Sequence, residues 1–435
     1  MKSTRSKTAA PRLPRRWRTP PPLTRGSESL EGMEILREVG GEVGILLWQA
    51  YRNVMFWAAA EQGERGRLFS AEAGRKRQAE LSEARISDDL AGPLAAIGEM
   101  LTAPDSTSGE AVAQACTGIA RWAEQQGHLN TALAYTQAAS VAAPRAARLA
   151  LAVGQLARRR SEMARAETWF RHTVMIARQI GDWDSYSRAY IALGNMLVRL
   201  GNFPAAHRMH IKALRAARRK GLQQVQGMAL HDLFAIAVET DRKEQAEEYA
   251  RQAFRAYGAR HPLIPVLAHD VAYFWAEQGY FARALEVFQS LEPYMTTPRD
   301  RLGLTASLAR TAAGTGNRDL FRRAWTQVVR LNKDPEVQAV VPACMLDLAL
   351  GAASLGEWDR AESAAEEAYE LATRSSQAKI RFRAEALLDS IRNGRQAEAR
   401  QAASRTASPS PKADTLASDF VRILEESRTG AGALV

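Results

Sequence analysis

Seven segments of this chain repeat one pattern of large apolar, small and turn-forming residues. The clearest begins at Ser187, and from Tyr190 it reads YIALGNMLVRLGNFPAAHRMHIKAL. Small side chains recur where two packed helices must approach each other closely, and Gly201 stands where the first helix has to turn. The pattern therefore predicts a helix, a tight turn and a second helix that packs back against the first.

The same pattern aligns with six further segments. The seven units begin near residues 113, 147, 187, 227, 265, 302 and 342, at intervals of 34 to 40 residues. One helix pair cannot bury its apolar face alone, whereas a stack of pairs forms a continuous core. The tryptophans of these units are then expected in the core or at its edge; they are Trp122, Trp169, Trp183, Trp275, Trp325 and Trp358.

The unit at Ser187 resembles the tetratricopeptide repeat. That family places Leu-Gly or Leu-Ala in the first helix, a glycine at the turn, and Ala, an aromatic and Ala in the second helix. The matching positions are Leu193, Gly194, Gly201, Ala206 and Ala213. The main departure is His210, which replaces the second-helix aromatic. The resemblance covers residues 113–375 and implies an all-α fold, a right-handed superhelical solenoid of antiparallel helix pairs with a concave groove.

The rest of the sequence divides the chain into five parts. They are a disordered basic, Pro-rich tail (1–27), a helical N-terminal cap or small module (28–105), a solenoid of about seven repeats with a capping helix (106–393), a linker (394–414), and a short amphipathic helix and tail (415–435). In the second part we expect a helix break at Gly40, an N-cap at Ser70 and a helix beginning near Pro93. The alternative for this part is a divergent DNA-binding helix-turn-helix. The final helix either packs on the last repeat or docks elsewhere as a tethered segment.

Charge and cysteine content limit the partners and the compartment. The net charge is +11, and residues 1–27 supply eight positive charges and no negative one. This tail is either solvated or bound to nucleic acid or an anionic membrane, and nucleic acid is expected nowhere else. The apolar stretch 44–60 is short and interrupted by Gln49 and Arg52, which predicts a buried helix and no transmembrane segment. Two distant cysteines and the lack of a secretion signal predict a cytoplasmic protein.

No motif in the sequence indicates catalysis. It contains no phosphate-binding glycine loop, no nucleophile elbow and no zinc-type cysteine pair. His207 and His210, with His231 in the next unit, are a weak metal candidate that we interpret as packing or surface histidines. We expect no enzyme activity, no catalytic residue, no cofactor and no metal.

The candidate binding residues lie in the predicted groove. In the tetratricopeptide family the second, fifth, ninth, twelfth and thirteenth positions of the first helix face that groove. Counted this way, the candidate peptide-binding residues are Arg148, Gln155, Arg158, Arg159, Arg188, Asn195, Arg199, His231 and Tyr273. The last two units contribute a smooth surface of Ala, Gly and Leu, apart from Arg310 and Ser354.

These residue types favour an acidic or C-terminal peptide. A guanidinium forms a planar fork that matches a carboxylate, and an asparagine amide can pair with a peptide backbone. The alternative is that the arginines are solvated or pair with glutamates on neighbouring helices. The leading hypothesis is a protein-protein interaction scaffold that binds a peptide or partner helix in the groove. The other is a ligand- or peptide-sensing regulator of transcription or signalling, with the flanks as its effector.

Overall fold

The part of the chain that the structure describes is all-α. A computed structural model describes residues 32–84, 86–394 and 411–431, and no strand occurs within those ranges. The predicted basic tail, 1–27, lies outside them. The chain divides into two compact units, an N-terminal unit that ends at Ile236 and a C-terminal unit that begins at Ala237. The predicted all-α fold of tetratricopeptide-like helix pairs is confirmed.

Five helices precede the repeats. They are α1 (Met33–Val39), α2 (Gly41–Ala59), α3 (Arg65–Leu68), α4 (Ala71–Glu83) and α5 (Asp88–Thr102). The break at Gly40 and the N-cap at Ser70, whose side chain accepts a hydrogen bond from the Ala73 N–H at 3.2 Å, are both confirmed. The predicted helix start near Pro93 is wrong. Helix α5 begins at Asp88, because Ser87 and two acidic residues favour an N-terminus there, and Pro93 is tolerated inside the helix.

Seven consecutive helix pairs follow among the described residues. In chain order the pairs are α6 (Gly109–Gln125) and α7 (Leu129–Ala142), α8 (Ala147–Arg159) and α9 (Met163–Ile180), α10 (Trp183–Arg199) and α11 (Phe203–Arg219), α12 (Gln223–Glu239) and α13 (Lys243–Tyr257), α14 (Ile264–Glu277) and α15 (Phe281–Leu291), α16 (Pro298–Gly314) and α17 (Arg318–Leu331), and α18 (Val341–Ser354) and α19 (Trp358–Arg374). Two short 3-10 helices, η1 (Glu292–Tyr294) and η2 (Pro335–Val337), lie in the connections.

Two more helices complete the described chain. Helix α20 (Ala378–Gly394) packs on α19 and α18, where a capping helix was predicted. Helix α21 (Pro411–Ala431) takes in the last residues of the predicted linker, and residues 395–410 lie outside the described ranges. No helix among those described is long and apolar enough to cross a bilayer.

The turns within the helix pairs share one backbone geometry. Gly201 has φ 71°, a left-handed conformation that a Cβ disfavours. Ser161 and Asp241 occupy the equivalent turns with φ of 62° and 54°. The fold therefore imposes this turn even in two units without the glycine, at a cost of about 1 kcal/mol each.

Apolar side chains from successive helices form the core of each unit. Trp169 and Phe170 of the N-terminal unit, and Trp275 and Phe288 of the C-terminal unit, are wholly buried. Helices α1 and α2 pack on α7, and Glu38 accepts hydrogen bonds from the first amides of that helix, including the Thr131 N–H at 2.6 Å. Both cysteines are buried free thiols, as predicted.

Candidate peptide-binding face

The first helices of three successive pairs carry eight of the nine predicted binding residues, all within the N-terminal unit. On α8, Arg148, Gln155 and Arg159 follow one another at spacings of seven and four residues, which places them on one side of the helix. Helix α10 repeats the spacing with Arg188, Asn195 and Arg199. Arg158 of α8 and His231 of α12 complete the set. We call the surface that carries these eight residues the first-helix face.

Side chains of this face contact neighbouring first helices. Arg159 of α8 forms an ion pair with Glu124 of α6. Arg188 of α10 reaches the sulfur of Met228 on α12 at 3.5 Å. Arg188 also pairs with Asp184 one turn earlier at 2.8 Å. Arg159 is thus partly neutralised by a glutamate of a neighbouring helix, the kind of pair that the alternative interpretation describes, and Arg188 by an aspartate of its own helix.

A carboxylate that was not predicted, Asp232, lies at the centre of the face. Its side chain is 29% exposed. Burial raises the pKa of Asp232 to about 6, while the charges of His231 and Arg158 and a hydrogen bond from the Asn195 amide act in the opposite direction. Three predicted residues from three helices therefore converge on one acid. One N–H of the Asn195 amide is used here, and its oxygen and second N–H keep the capacity to pair with a peptide.

His210 is a buried residue that contacts both Gly194 and Asp232. It lies on α11 at the position where the repeat usually has an aromatic residue, and its ring is wholly buried. The ring packs against Gly194 of α10 so closely that a Cβ there would overlap it. Its Nδ1 lies 3.5 Å from Oδ2 of Asp232. The histidine therefore takes over the packing role of the aromatic and adds a polar contact to the base of the first-helix face.

We expect a His210→Phe variant to be less acid-sensitive than the wild type. Burial, with a smaller effect of His207, lowers the pKa of His210 to about 4. Below the unfolded pKa of 6.5 the unfolded chain binds a proton that the folded chain does not, so stability present above 6.5 is lost as pH falls towards 4. At pH 5 this loss amounts to about 2 kcal/mol.

Hydrogen exchange of α10 and α11 amides at pH 7.5 and 5.0 measures this effect. The variant should gain about 2 kcal/mol of opening free energy relative to wild type on acidification. Asp232 remains in both proteins, and its raised pKa stabilises the fold in the opposite direction as pH falls, so only the difference between the proteins is informative. An equal response of both proteins to pH would contradict the role assigned to His210.

Three predicted residues of the first-helix face have unused polar groups. Arg148, Gln155 and Arg199 are exposed. Among the residues that the structure describes, none of these side chains forms a hydrogen bond or an ion pair. They flank the Asp232 cluster on α8 and α10 and are available to a ligand.

The ninth predicted residue, Tyr273, belongs to a different cluster in the C-terminal unit. Its hydroxyl donates to Asp347 at 3.3 Å, and Arg310 donates to the same carboxylate at 3.1 Å. Arg310 also pairs with Glu277, to which Arg383 of α20 donates at 2.8 Å. Arg310 was already an exception to the smooth surface predicted for the last two units, and its partner Asp347 was not predicted but is 5% exposed and therefore buried.

The described part of the chain holds no metal-type cluster. No group of three His, Cys, Asp or Glu side chains is arranged there to hold a metal ion. His207 and His210 are close enough to affect each other's charge, but the ring of His210 is enclosed by packing.

The paired helices and their shared turn define a helical repeat protein. The tetratricopeptide repeat family model matches residues 145–219, which contain α8 to α11, and the helix pairs on either side share the tetratricopeptide-like fold. Aspartyl phosphate phosphatase F from Bacillus subtilis is similar at 11% identity and a TM-score of 0.50, over 80% of this chain and 96% of that one. BtubC (BKLC) from P. vanneervenii shares 14% identity at a TM-score of 0.39, over 52% of this chain and 92% of that one. The similarity to the phosphatase is a similarity of fold alone. No curated protein sequence matches this chain.

Proposed function

We propose that this chain is a protein-interaction scaffold that binds an acidic or C-terminal peptide on the first-helix face. The observation that carries the proposal is the pair of exposed guanidiniums, Arg148 and Arg199, that lack a carboxylate partner among the described residues. They lie on the same face as the Asn195–Asp232 cluster. The tetratricopeptide fold supports the proposal because its stacked pairs present an extended surface to a partner.

The charge of the face favours an anionic ligand. Its arginines are Arg148, Arg158, Arg159, Arg188 and Arg199, and the carboxylates beside them are Glu124, Asp184 and Asp232. Five positive charges against three negative ones leave a net charge of +2 at neutral pH. A ligand carboxylate can form a bidentate pair with a free guanidinium, and such charge-assisted bonds contribute about 1.5–3 kcal/mol each.

A triple substitution of Arg158, Asn195 and Arg199 to alanine tests the site. An array of short peptides with varied acidic content and free or amidated C-termini should select carboxylate-bearing ligands on the wild-type chain. For the best of them, the variant should bind at least tenfold more weakly by fluorescence anisotropy, because two guanidiniums and one amide are lost. Raising the salt concentration should weaken the wild-type complex in the same direction.

A matched control also replaces two arginines and one amide side chain, but on second helices. Gln179, Arg208 and Arg215 are exposed on α9 and α11, away from the first-helix face. Their replacement by alanine removes equal charge and should leave peptide affinity unchanged. Equal weakening by both triple variants, or selection of peptides without regard to carboxylates, would overturn the proposed function.

We also propose the cytoplasm as the compartment. The two thiols, Cys116 and Cys344, are free and buried, and burial raises the pKa of each to about 12. Such thiols stay protonated at neutral pH and react slowly with oxidants. A chain whose cysteines are kept out of disulfides suits a reducing environment.

A further inference from the structure

Helix α21 lies in a groove on the second helices of two pairs in the C-terminal unit. Its buried side chains follow a helical spacing and are Leu416, Ala417, Phe420, Ile423 and Leu424. The Phe420 ring meets Phe254 of α13 edge-on, with centroids 4.9 Å apart. At the far end the Tyr294 hydroxyl donates to the Leu424 carbonyl at 2.6 Å. We call this site, formed by α13, α15 and η1, the α13–α15 groove.

A buried arginine marks the near end of the α13–α15 groove. The Arg283 side chain is 6% exposed, and its guanidinium lies 5.1 Å from the ring centroids of Trp275 and Tyr280. Its Nε donates to Oδ1 of Asp414 on α21 at 3.0 Å, and Nη2 donates to the same oxygen. Nη1 is buried without a hydrogen-bond partner in the described structure.

The side chains of α21 hold this helix in the α13–α15 groove. Apolar anchors at intervals of one, four and seven or eight residues are typical of an amphipathic helix in a groove. A carboxylate six residues before the aromatic anchor adds a specific polar contact to Arg283. An empty groove would expose its apolar floor and leave the Arg283 guanidinium without its carboxylate partner, and both changes are unfavourable. The α13–α15 groove therefore requires an occupant with this arrangement of side chains.

We propose that the α13–α15 groove is a helix-binding site specific for the α21 sequence, filled in cis in this chain and open to α21 of a second copy when the cis helix leaves. A second copy carries the same carboxylate-to-aromatic spacing and the same apolar anchors by identity. Exchange of an identical helix between two chains is reciprocal and closes as a dimer. The α13–α15 groove involves no residue of the first-helix face.

Binding of a labelled α21 peptide to full-length variants tests this site. The probe is a synthetic peptide of residues 411–431, measured by fluorescence anisotropy. The wild-type chain should bind it weakly, because the tethered cis helix competes at high effective concentration. Phe420→Ala removes the main cis anchor, and Asp414→Arg places a like charge beside Arg283. Each opened variant should bind the wild-type peptide at least tenfold more tightly than the wild-type chain does.

Two controls make the result specific. Adding Arg283→Gln to either opened variant should reverse the gain at least tenfold, and a peptide carrying Phe420→Ala should not bind. Ser418→Arg, on the exposed side of α21, should behave as wild type. If circular dichroism shows that Phe420→Ala perturbs folding, the test of the proposal uses Asp414→Arg alone. The proposal is overturned when no opened variant gains peptide affinity, or when the gain survives Arg283→Gln.

Discussion

An Arg310→Met variant is expected to lose about 3–5 kcal/mol of stability in the C-terminal unit, because it strands a buried carboxylate. Asp347 is 5% exposed, and Arg310 is its cationic partner at 3.1 Å. Burial raises the pKa of Asp347, and Arg310 counteracts that rise. Burial alone would lower the pKa of Arg310, but the carboxylates of Asp347 and Glu277 raise it. The Asp347 carboxylate and the Arg310 guanidinium therefore each stabilise the buried charge of the other.

Hydrogen exchange of α16 and α18 amides measures the loss. An opening free energy lower by 3 kcal/mol corresponds to exchange more than about 100-fold faster. The double variant Arg310→Met with Asp347→Asn removes the stranded charge and should recover part of the protection. Arg330→Met, on the exposed side of α17, should change stability by less than about 0.5 kcal/mol. Equal exchange in Arg310→Met and wild type would show that the network contributes nothing.

A Gly154→Ala variant is expected to destabilise the N-terminal unit by about 1–3 kcal/mol. Alanine is more favourable than glycine inside a helix by about 1 kcal/mol. Helix propensity alone therefore predicts that Gly154→Ala stabilises the unit. A Cβ at Gly154 would lie 2.5 Å from Cε1 of Phe170, however, and that ring is wholly buried on α9. The ring cannot move aside without displacing the core between α8 and α9.

The matched control is a helical glycine with free space. A Cβ at Gly303 of α16 would meet no atom within 4 Å. Gly303→Ala should therefore stabilise its unit by about 0.5–1 kcal/mol. Phe170→Leu should relieve Gly154→Ala in a double-mutant cycle, since it removes the clashing ring atoms. Stabilisation by Gly154→Ala would contradict the close approach of the two helices.

The helix-pair fold could be predicted from the sequence because the helix and turn signals within one unit agree with the repeat along the chain. Gly154 and Gly194 mark points of closest approach, and Gly201 marks a turn. The close-approach position lies seven residues before the turn, and five of the seven turns have a glycine. The start of α5 was missed because Pro93 outweighed the stronger signal from Ser87 and the acids after it. A proline inside a helix depends on tertiary packing, which a single sequence does not display.

The candidate site was accessible only in part. The family's groove positions led to Arg158, Asn195 and His231, which converge on Asp232 in the structure. Asp232 itself was missed because it lies one residue beyond a counted position, although its neighbour His231 is a signal for it. The ion pair between Arg283 and Asp414 joins residues 131 apart. No local pattern predicts such a pair.

Hydrogen exchange with a bound peptide tests the central claim most directly. The ligand is the tightest acidic peptide selected on the array, added in excess to the full-length chain. If the first-helix face binds it, exchange should slow in α8 and α10, including residues 147–159 and 183–199, while α9 and α11 keep their free-state rates. Protection confined to α9 and α11 or to the C-terminal unit would contradict the claim.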